Sequence, residues 1–348
     1  MITFVRVLVC AGLVSWSAPP AGAQPLKDVF RRVNPSVVLI EAKGRAPAVA
    51  PGALDAPSAD EGLGSGVLIS ADGKVLTAAH VVQGAVSISV RFLDADPVAA
   101  RVVHAAPYAD LALLQLDKVP AYAVPAAFGN SDGLDVGDQV FTIGAPYGAT
   151  HSLAVGWVSA RRTSVGVFED ATALEVFQTD MAVFEGNSGG PLFNVAGEVV
   201  GIVTHVLTKV GGSTGPGFAV TGNVAKTLMI DQRRAWFGVE SVMLDESLAR
   251  ALHLPAPGGL LVQSVAEGSL GARLGIREGD VDAEIGGQAM RLGGDVLLEV
   301  QGIEVSSTPA FIGAFTAALY RLGPGDAVSI KVWRGGAIVQ LSGVAAPP

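Results

Sequence analysis

Glu185-Gly186-Asn187-Ser188-Gly189-Gly190-Pro191 is the stretch whose reading decides what this chain is. A serine sits there between glycines, in a segment too rich in glycine to be a helix or a plain strand. Glycine on both sides admits φ > 0 and leaves the hydroxyl uncrowded. Two or more amide N–H groups can then converge on one point beside a nucleophilic oxygen, which is what an acyl-transfer site requires. Taken alone, the heptad equally fits a glycine-rich surface turn with an incidental serine. The rest of the sequence has to decide between them.

Working outward, the 348 residues are enough for two domains and a sizeable core. Half are hydrophobic and 16% are charged, with 44 glycines and 20 prolines. That mix suits a β-rich globular chain with many turns and excludes a disordered one. A formal charge of −9 argues against general nucleic-acid binding. At the N-terminus, Arg6, an apolar run from Val7 to Trp16, and Ala21-Gly22-Ala23 read as a signal peptide over residues 1–23. The run is too short for a convincing membrane span, so a soluble periplasmic or secreted protein is expected. Cys10, the only cysteine, lies inside that segment. The remaining chain therefore has neither a disulfide nor a thiol nucleophile.

Pro25–Asn34 reads as a short amphipathic helix. Short apolar runs then alternate with turns: Val37–Glu41, Gly66–Ile69, Lys74–Thr77, Val86–Phe92, Ala99–Ala105, Leu111–Leu116, Gln139–Ile143, Leu153–Ser159, Leu174–Gln178, Val199–His205 and Gly217–Val220. Many closely spaced strands with few helices predict β-barrels or a sandwich. Gly44–Gly62 reads as a long mobile loop, and Gly62–Gly66 as a turn entering a strand. Asn223–Arg234 reads as a helix linking to a second, smaller module. Within that module Thr308-Pro309 is a helix start. Arg277–Val281 and Leu292–Val296 repeat one turn-plus-strand phrase, which suggests an inserted or duplicated hairpin between them.

Of the five histidines, His80 stands out, in Thr77-Ala78-Ala79-His80-Val81-Val82 directly after a strand. A catalytic base needs a fixed imidazole, and a strand end supplies one. Asp110 precedes the apolar strand Leu111–Leu116, where a half-buried carboxylate can accept the imidazole N–H. The chain order His80, Asp110, Ser188 is that of the chymotrypsin triad. Gly186–Gly190 also satisfies Gly-x-Ser-x-Gly, the nucleophile elbow of α/β-hydrolases, with Asp231 and His253 in the matching order. That elbow needs a helix after the serine, whereas Pro191 and the β-type run Val199–Val203 follow here. No His pair or Cys cluster has metal-ligand spacing. Gly62–Gly66 lacks the Lys-Ser/Thr ending of a phosphate loop. No metal or cofactor is expected.

As a set these phrases resemble the HtrA/Deg family of trypsin-like serine proteases with one C-terminal PDZ domain. The likeness runs through Gly64–Ile69, Thr77–Val82, Ala109–Leu114, Val140–Gly148, Gln178–Asp180, Gly186–Leu192 and Gly215–Val220. It implies an all-β protease domain over residues 24–230, made of two six-stranded chymotrypsin-like barrels. A small α+β PDZ domain over residues 235–345 would follow. By this resemblance His80, Asp110 and Ser188 are catalytic, and the amides of Gly186 and Ser188 form the oxyanion hole. Val183 and Val206 would line a small aliphatic specificity pocket. Phe237-Gly238-Val239 would receive a peptide C-terminus, the peptide adding as a strand to the sheet edge. The resemblance also implies a homotrimer that cleaves unfolded or misfolded envelope proteins. The family usually has Asn-Pro where Phe184-Glu185 stands, which keeps open a binding or chaperone protein with a dormant site. The extra residues near Gly286–Gly293 are a second departure.

Overall fold

The computed structural model describes residues 25–44, 61–164, 174–204, 216–231, 235–285, 288–306 and 308–346. The expected signal peptide, most of the Gly44–Gly62 segment, and Val206 lie outside the described residues.

The first barrel is built from β1 (Val37–Gly44), β2 (Glu61–Leu68), β3 (Lys74–Thr77), β4 (Ala85–Arg91), β5 (Val98–Ala106) and β6 (Leu111–Leu116). The second uses β7 (Gln139–Gly144), β8 (Ser152–Ser164), β9 (Leu174–Thr179), β10 (Pro191–Asn194), β11 (Val199–Val203) and β12 (Gly217–Thr221). Both sheets close, in the orders β1-β2-β3-β6-β5-β4 and β7-β8-β9-β12-β11-β10. The second order repeats the first, so one six-stranded topology occurs twice. Closure leaves no sheet edge to pair with another chain.

Strand periodicity explains where the cores sit. Alternate residues of a strand face opposite sides. In β6, Ala112 and Leu114 fill the first barrel while Leu111 and Leu113 face the second barrel. In β7, Val140 points into its own barrel while Phe141 and Ile143 meet the inter-barrel core. Such strands are buried on both faces and read as nearly unbroken apolar runs. The inter-barrel core joins Val67 and Leu76 to Phe193, Val199 and Ile202, with Phe141 stacked on Phe193 at 5.2 Å between ring centres. Helix α1 (Leu26–Val33) packs Val29 and Val33 into the same core. Full burial of each large apolar side chain contributes about 1.5–3 kcal/mol, so this layer fixes how the barrels meet.

One local reading is corrected. Gly62–Gly66 is not a turn but lies within β2. Its glycines are needed because Val81 approaches closely: a Cβ on Gly64 would fall within 3.0 Å of the Val81 methyls and of Ser188 O. The expected Asn223–Arg234 helix is present over Gly222–Asp231, as α3 (Gly222–Lys226) followed by a π-helical turn, Thr227–Asp231, while residues 232–234 lie outside the described residues.

Beyond residue 235 a separate sheet follows, with strands β13 (Val239–Leu244), β14 (Gly259–Val265), β17 (Val296–Val300), β18 (Ile303–Glu304), β19 (Ala327–Arg334) and β20 (Ala337–Val344). It carries helices α4 (Glu246–Ala251), α5 (Leu270–Arg273) and α6 (Pro309–Arg321). Thr308 caps α6 by accepting from the Phe311 N–H. The repeated phrase brackets a hairpin, β15 (Val281–Ile285) and β16 (Gln288–Leu292), which forms its own two-stranded sheet. Met290 and Leu292 seat it on Leu244, Leu261 and Trp333. Asp295, only 1% exposed, accepts from Arg334 at 2.7 Å and from the Arg277 N–H at 2.9 Å, pinning the base of the insertion.

Candidate active site

Ser188 follows a turn whose peptide planes are held one by one. A peptide N–H points opposite to the carbonyl of the preceding residue, so fixing one fixes the other. The Glu185 carbonyl accepts from Tyr147 N–H at 2.9 Å, which turns the Gly186 N–H the other way. The Asn187 carbonyl accepts from Gly190 N–H at 3.0 Å, which does the same for the Ser188 N–H. Among the described residues, nothing accepts from either amide. Buried N–H groups are almost always paired, and the Gly186 residue is buried. Two fixed, unclaimed donors beside a serine can bind an oxyanion. Gly186 has φ +95, and a Cβ there would collide with the Ala145 carbonyl, so only glycine fits.

The Phe184-Glu185 departure does not loosen this turn. Asn187 N–H closes on the Phe184 carbonyl at 3.0 Å. The Phe184 ring lies 5.8 Å from that of Tyr147, the residue that holds Glu185. The Glu185 side chain is exposed to solvent.

His80 sits in α2 (Ala79–Val82), one short turn after β3. Its Nδ1 lies 2.8 Å from Asp110 Oδ2 and 2.9 Å from Oδ1, and its backbone N–H donates to Oδ1 at 3.0 Å. One carboxylate thus holds both the main chain and the ring. That contact favours the tautomer with the proton on Nδ1 and the lone pair on Nε2. Asp110 caps the Pro107–Ala109 turn in a left-handed conformation, φ 52, which aspartate tolerates better than most residues. Its side chain is 16% exposed against 42% for His80, so the acid lies behind the base.

The serine turn docks directly on the His80 segment. Gly189, at φ +81, passes so close that a Cβ would come within 3.0 Å of Thr77 Oγ1, Ala78 N and Ser65 O. Ser65 N–H donates to the Ser188 carbonyl at 2.8 Å. The structure therefore brings the Ser188 turn, from the second barrel, against the end of β3 at Thr77 and Ala78, just before His80 in the first. Sequence reading missed Ser65, Ala145 and Tyr147 as parts of this site. The Gly-Ser-Gly phrase on β2 was the available signal for Ser65.

Val183 is buried in the second barrel with Phe177, Met181 and Leu192. A Cβ on Gly217 would meet Val183 Cγ2 at 2.6 Å, so the space between them is small and aliphatic. Phe237, Gly238 and Val239 enter β13, which lies at the edge of its sheet. Gly238 has φ +62 and packs against Ser269 too closely for a side chain. Phe237 and Val239 share a cleft with Phe315 and Leu319 of α6. No cluster of metal-ligating side chains, and no helix long and apolar enough to cross a membrane, occurs among the described residues.

A family model described as a trypsin-like peptidase domain matches residues 64–202. A solved structure described as HtrA-type protease AlgW with tripeptide is 31% identical, with a TM-score of 0.52, covering 93% of this chain and 98% of that one. This chain belongs to the HtrA/Deg family of trypsin-like serine proteases. A further relative, a probable periplasmic serine endoprotease DegP-like protein of Pseudomonas fulva (strain 12-X), is 39% identical over 255 residues. That match covers 71% of this chain and 52% of the relative. Another of the same description, from Halomonas elongata, is 34% identical over 322 residues, 90% of this chain and 62% of the relative. The chain spans about half the length of the curated relatives it matches first. The two closed six-stranded barrels agree with membership in this family.

Proposed function

We propose that this protein is a serine endopeptidase of the bacterial cell envelope that cleaves unfolded or misfolded proteins through an acyl-enzyme. The observation that carries the reading is the pair of unclaimed amides at Gly186 and Ser188, set in the turn that docks on the His80 segment. In this reading Ser188 Oγ attacks the scissile carbonyl and His80 Nε2 takes its proton. The oxyanion settles on the Gly186 and Ser188 amides, and the leaving amine departs with the proton from His80. Water then repeats the sequence to release the acyl group. Asp110 keeps the imidazole in the useful tautomer and stabilises its charged form.

The periplasmic location is supported by the descriptions of the relatives. The sheet after residue 235 is read as a PDZ domain over 235–345 following a protease domain over 24–230. The edge position of β13 in its sheet, beside Phe237-Gly238-Val239, suits a peptide C-terminus. Neighbouring family structures are described with a decapeptide and a tripeptide. Regulation by such peptides, and assembly as a homotrimer, are part of the same proposal.

The test is labelling by a fluorophosphonate probe, with and without denatured protein present, alongside casein hydrolysis. Rapid labelling and hydrolysis, both abolished in Ser188→Ala, are expected. Hydrolysis that persists in Ser188→Ala would overturn the enzymatic reading. A wild-type chain that does not label would transfer the assignment to a peptide-binding protein with a dormant site.

A further inference from the structure

We propose that Ser65 is a positioning residue that sets the oxyanion turn of the second barrel against the His80 segment of the first. The inference rests on the protease reading above and extends it to a residue outside the triad and the hole.

Ser65 lies on β2 of the first barrel and is fully buried, yet all of its polar atoms are engaged at the site. Its hydroxyl donates to the Gly186 carbonyl at 2.6 Å and accepts from Ala145 N–H at 3.0 Å, both in the second barrel. Its backbone N–H donates to the carbonyl of Ser188 at 2.8 Å. Its own carbonyl accepts from Thr77 Oγ1 at 2.8 Å, three residues before His80. One residue thus touches the turn of the oxyanion hole, the nucleophile's own backbone, and the segment that delivers the base.

The hydroxyl has a particular task. The Gly186 carbonyl belongs to the peptide plane between the two hole amides. Ser65 Oγ draws that carbonyl toward the first barrel. Without it, the Gly186 carbonyl keeps only the long Ala145 N–H contact at 3.4 Å. A buried carbonyl with so weak a partner is driven to find another. The plane is then held mainly from its other side, by Asn187 N–H on the Phe184 carbonyl, and can tilt about that bond, carrying Gly186 and Ser188 out of alignment. Misplacement of about 1 Å at a reacting centre costs on the order of a hundredfold in rate. The ground-state substrate does not feel the hole as strongly as the tetrahedral intermediate does, so the loss falls on kcat and not on KM.

The experiment compares wild type with Ser65→Ala and Thr77→Val. Readouts are kcat and KM on a peptide substrate, fluorophosphonate labelling rate, and affinity for a peptide boronate that mimics the tetrahedral state. Ser65→Ala is expected to lower kcat, labelling rate and boronate affinity by about tenfold to a hundredfold. KM and the far-ultraviolet circular dichroism spectrum should stay within about twofold and unchanged, respectively. Thr77→Val, which keeps the Ser65 hydroxyl, should show a smaller loss of the same kind. Should Ser65→Ala fail to fold, Ser65→Cys fills the same space with a weak donor and must show the same kcat-selective loss. Wild type that labels while the Ser65 variants label equally overturns this proposal and leaves the protease reading standing. A loss confined to KM overturns it too. Wild type that neither labels nor hydrolyses overturns both.

Discussion

Replacing Gly189 with alanine tests the docking of the serine turn on the first barrel. Two costs can be worked from the geometry. Alanine at φ +81 bears the left-handed penalty of about 1–2 kcal/mol. The added methyl would also fall within 3.0 Å of Thr77 Oγ1, Ser65 O and Ala78 N. Two of those atoms are backbone and cannot swing aside, so overpacking adds about 1–3 kcal/mol. The total, about 2–5 kcal/mol, is a large share of the roughly 5–15 kcal/mol that holds a typical domain. The turn is expected to lift away from β3 to relieve the contact, taking Ser188 with it. Gly137→Ala is the control: its φ is +99, but nothing lies within 4 Å of a Cβ there. Urea unfolding followed by circular dichroism should show Gly189→Ala losing clearly more than Gly137→Ala. Fluorophosphonate labelling should fall about a hundredfold in the first and stay unchanged in the second. If the two variants match in both assays, the close approach of Gly189 to Thr77 and Ala78 does not hold the site together.

Asp110→Asn should lower kcat by about ten-thousand-fold with little change in thermal unfolding, because asparagine cannot hold the His80 tautomer; a loss under tenfold would remove Asp110 from the mechanism. Glu185→Gln should change kcat/KM by less than about threefold, since the side chain is exposed and screened; a gain above tenfold would show the carboxylate opposing the oxyanion. His104 is buried, donates to the Leu228 carbonyl, and has no partner at Nδ1 among the described residues; burial holds it below the usual histidine range. The unfolded chain therefore binds that proton more readily, so the stability is complete above about pH 6.5 and drains away as the pH falls toward the depressed folded value. His151 is shifted the same way by burial, so His104→Gln should flatten the acid limb of the urea midpoint only in part; an unchanged acid limb would refute the role of His104.

The strands between the barrels were the most legible, because β6 and β7 alternate between two cores. Leu111–Leu116 and Gln139–Ile143 read as unbroken apolar runs for that reason, and they fall where expected. β10 was not legible: it has only four residues and starts at Pro191, which a strand accepts at its first position but which carries no strand signal of its own. Gly62–Gly66 misled for a related reason. Glycines normally signal a turn, but here they thin a strand so that Val81 and the Ser188 carbonyl can approach. The repeated topology of the two barrels left no visible period, because the same strand order can be filled by different apolar residues as long as the alternation holds. The inserted hairpin was legible as the phrase around Asp280 and Asp295, although the buried pairing of Asp295 with Arg334 was not.

At the proposed site, the sequence displayed the groups assigned to the chemistry and hid those that aim them. His80, Asp110 and Ser188 stand out because a base, an acid and a nucleophile are rare side chains in revealing contexts. The departure at Phe184-Glu185 looked like a threat to the oxyanion turn, because a proline that stiffens a turn shows in sequence. The hydrogen bonds that replace its stiffness do not. Tyr147 acts on Glu185 through its backbone N–H, which any residue but proline could supply at that position. Competence of the turn therefore depends less on what stands at 184 and 185 than on whether the 145–147 backbone and the Ser65 hydroxyl stay in place. Substitutions that shift those supports should silence the site more than substitutions at Glu185 itself.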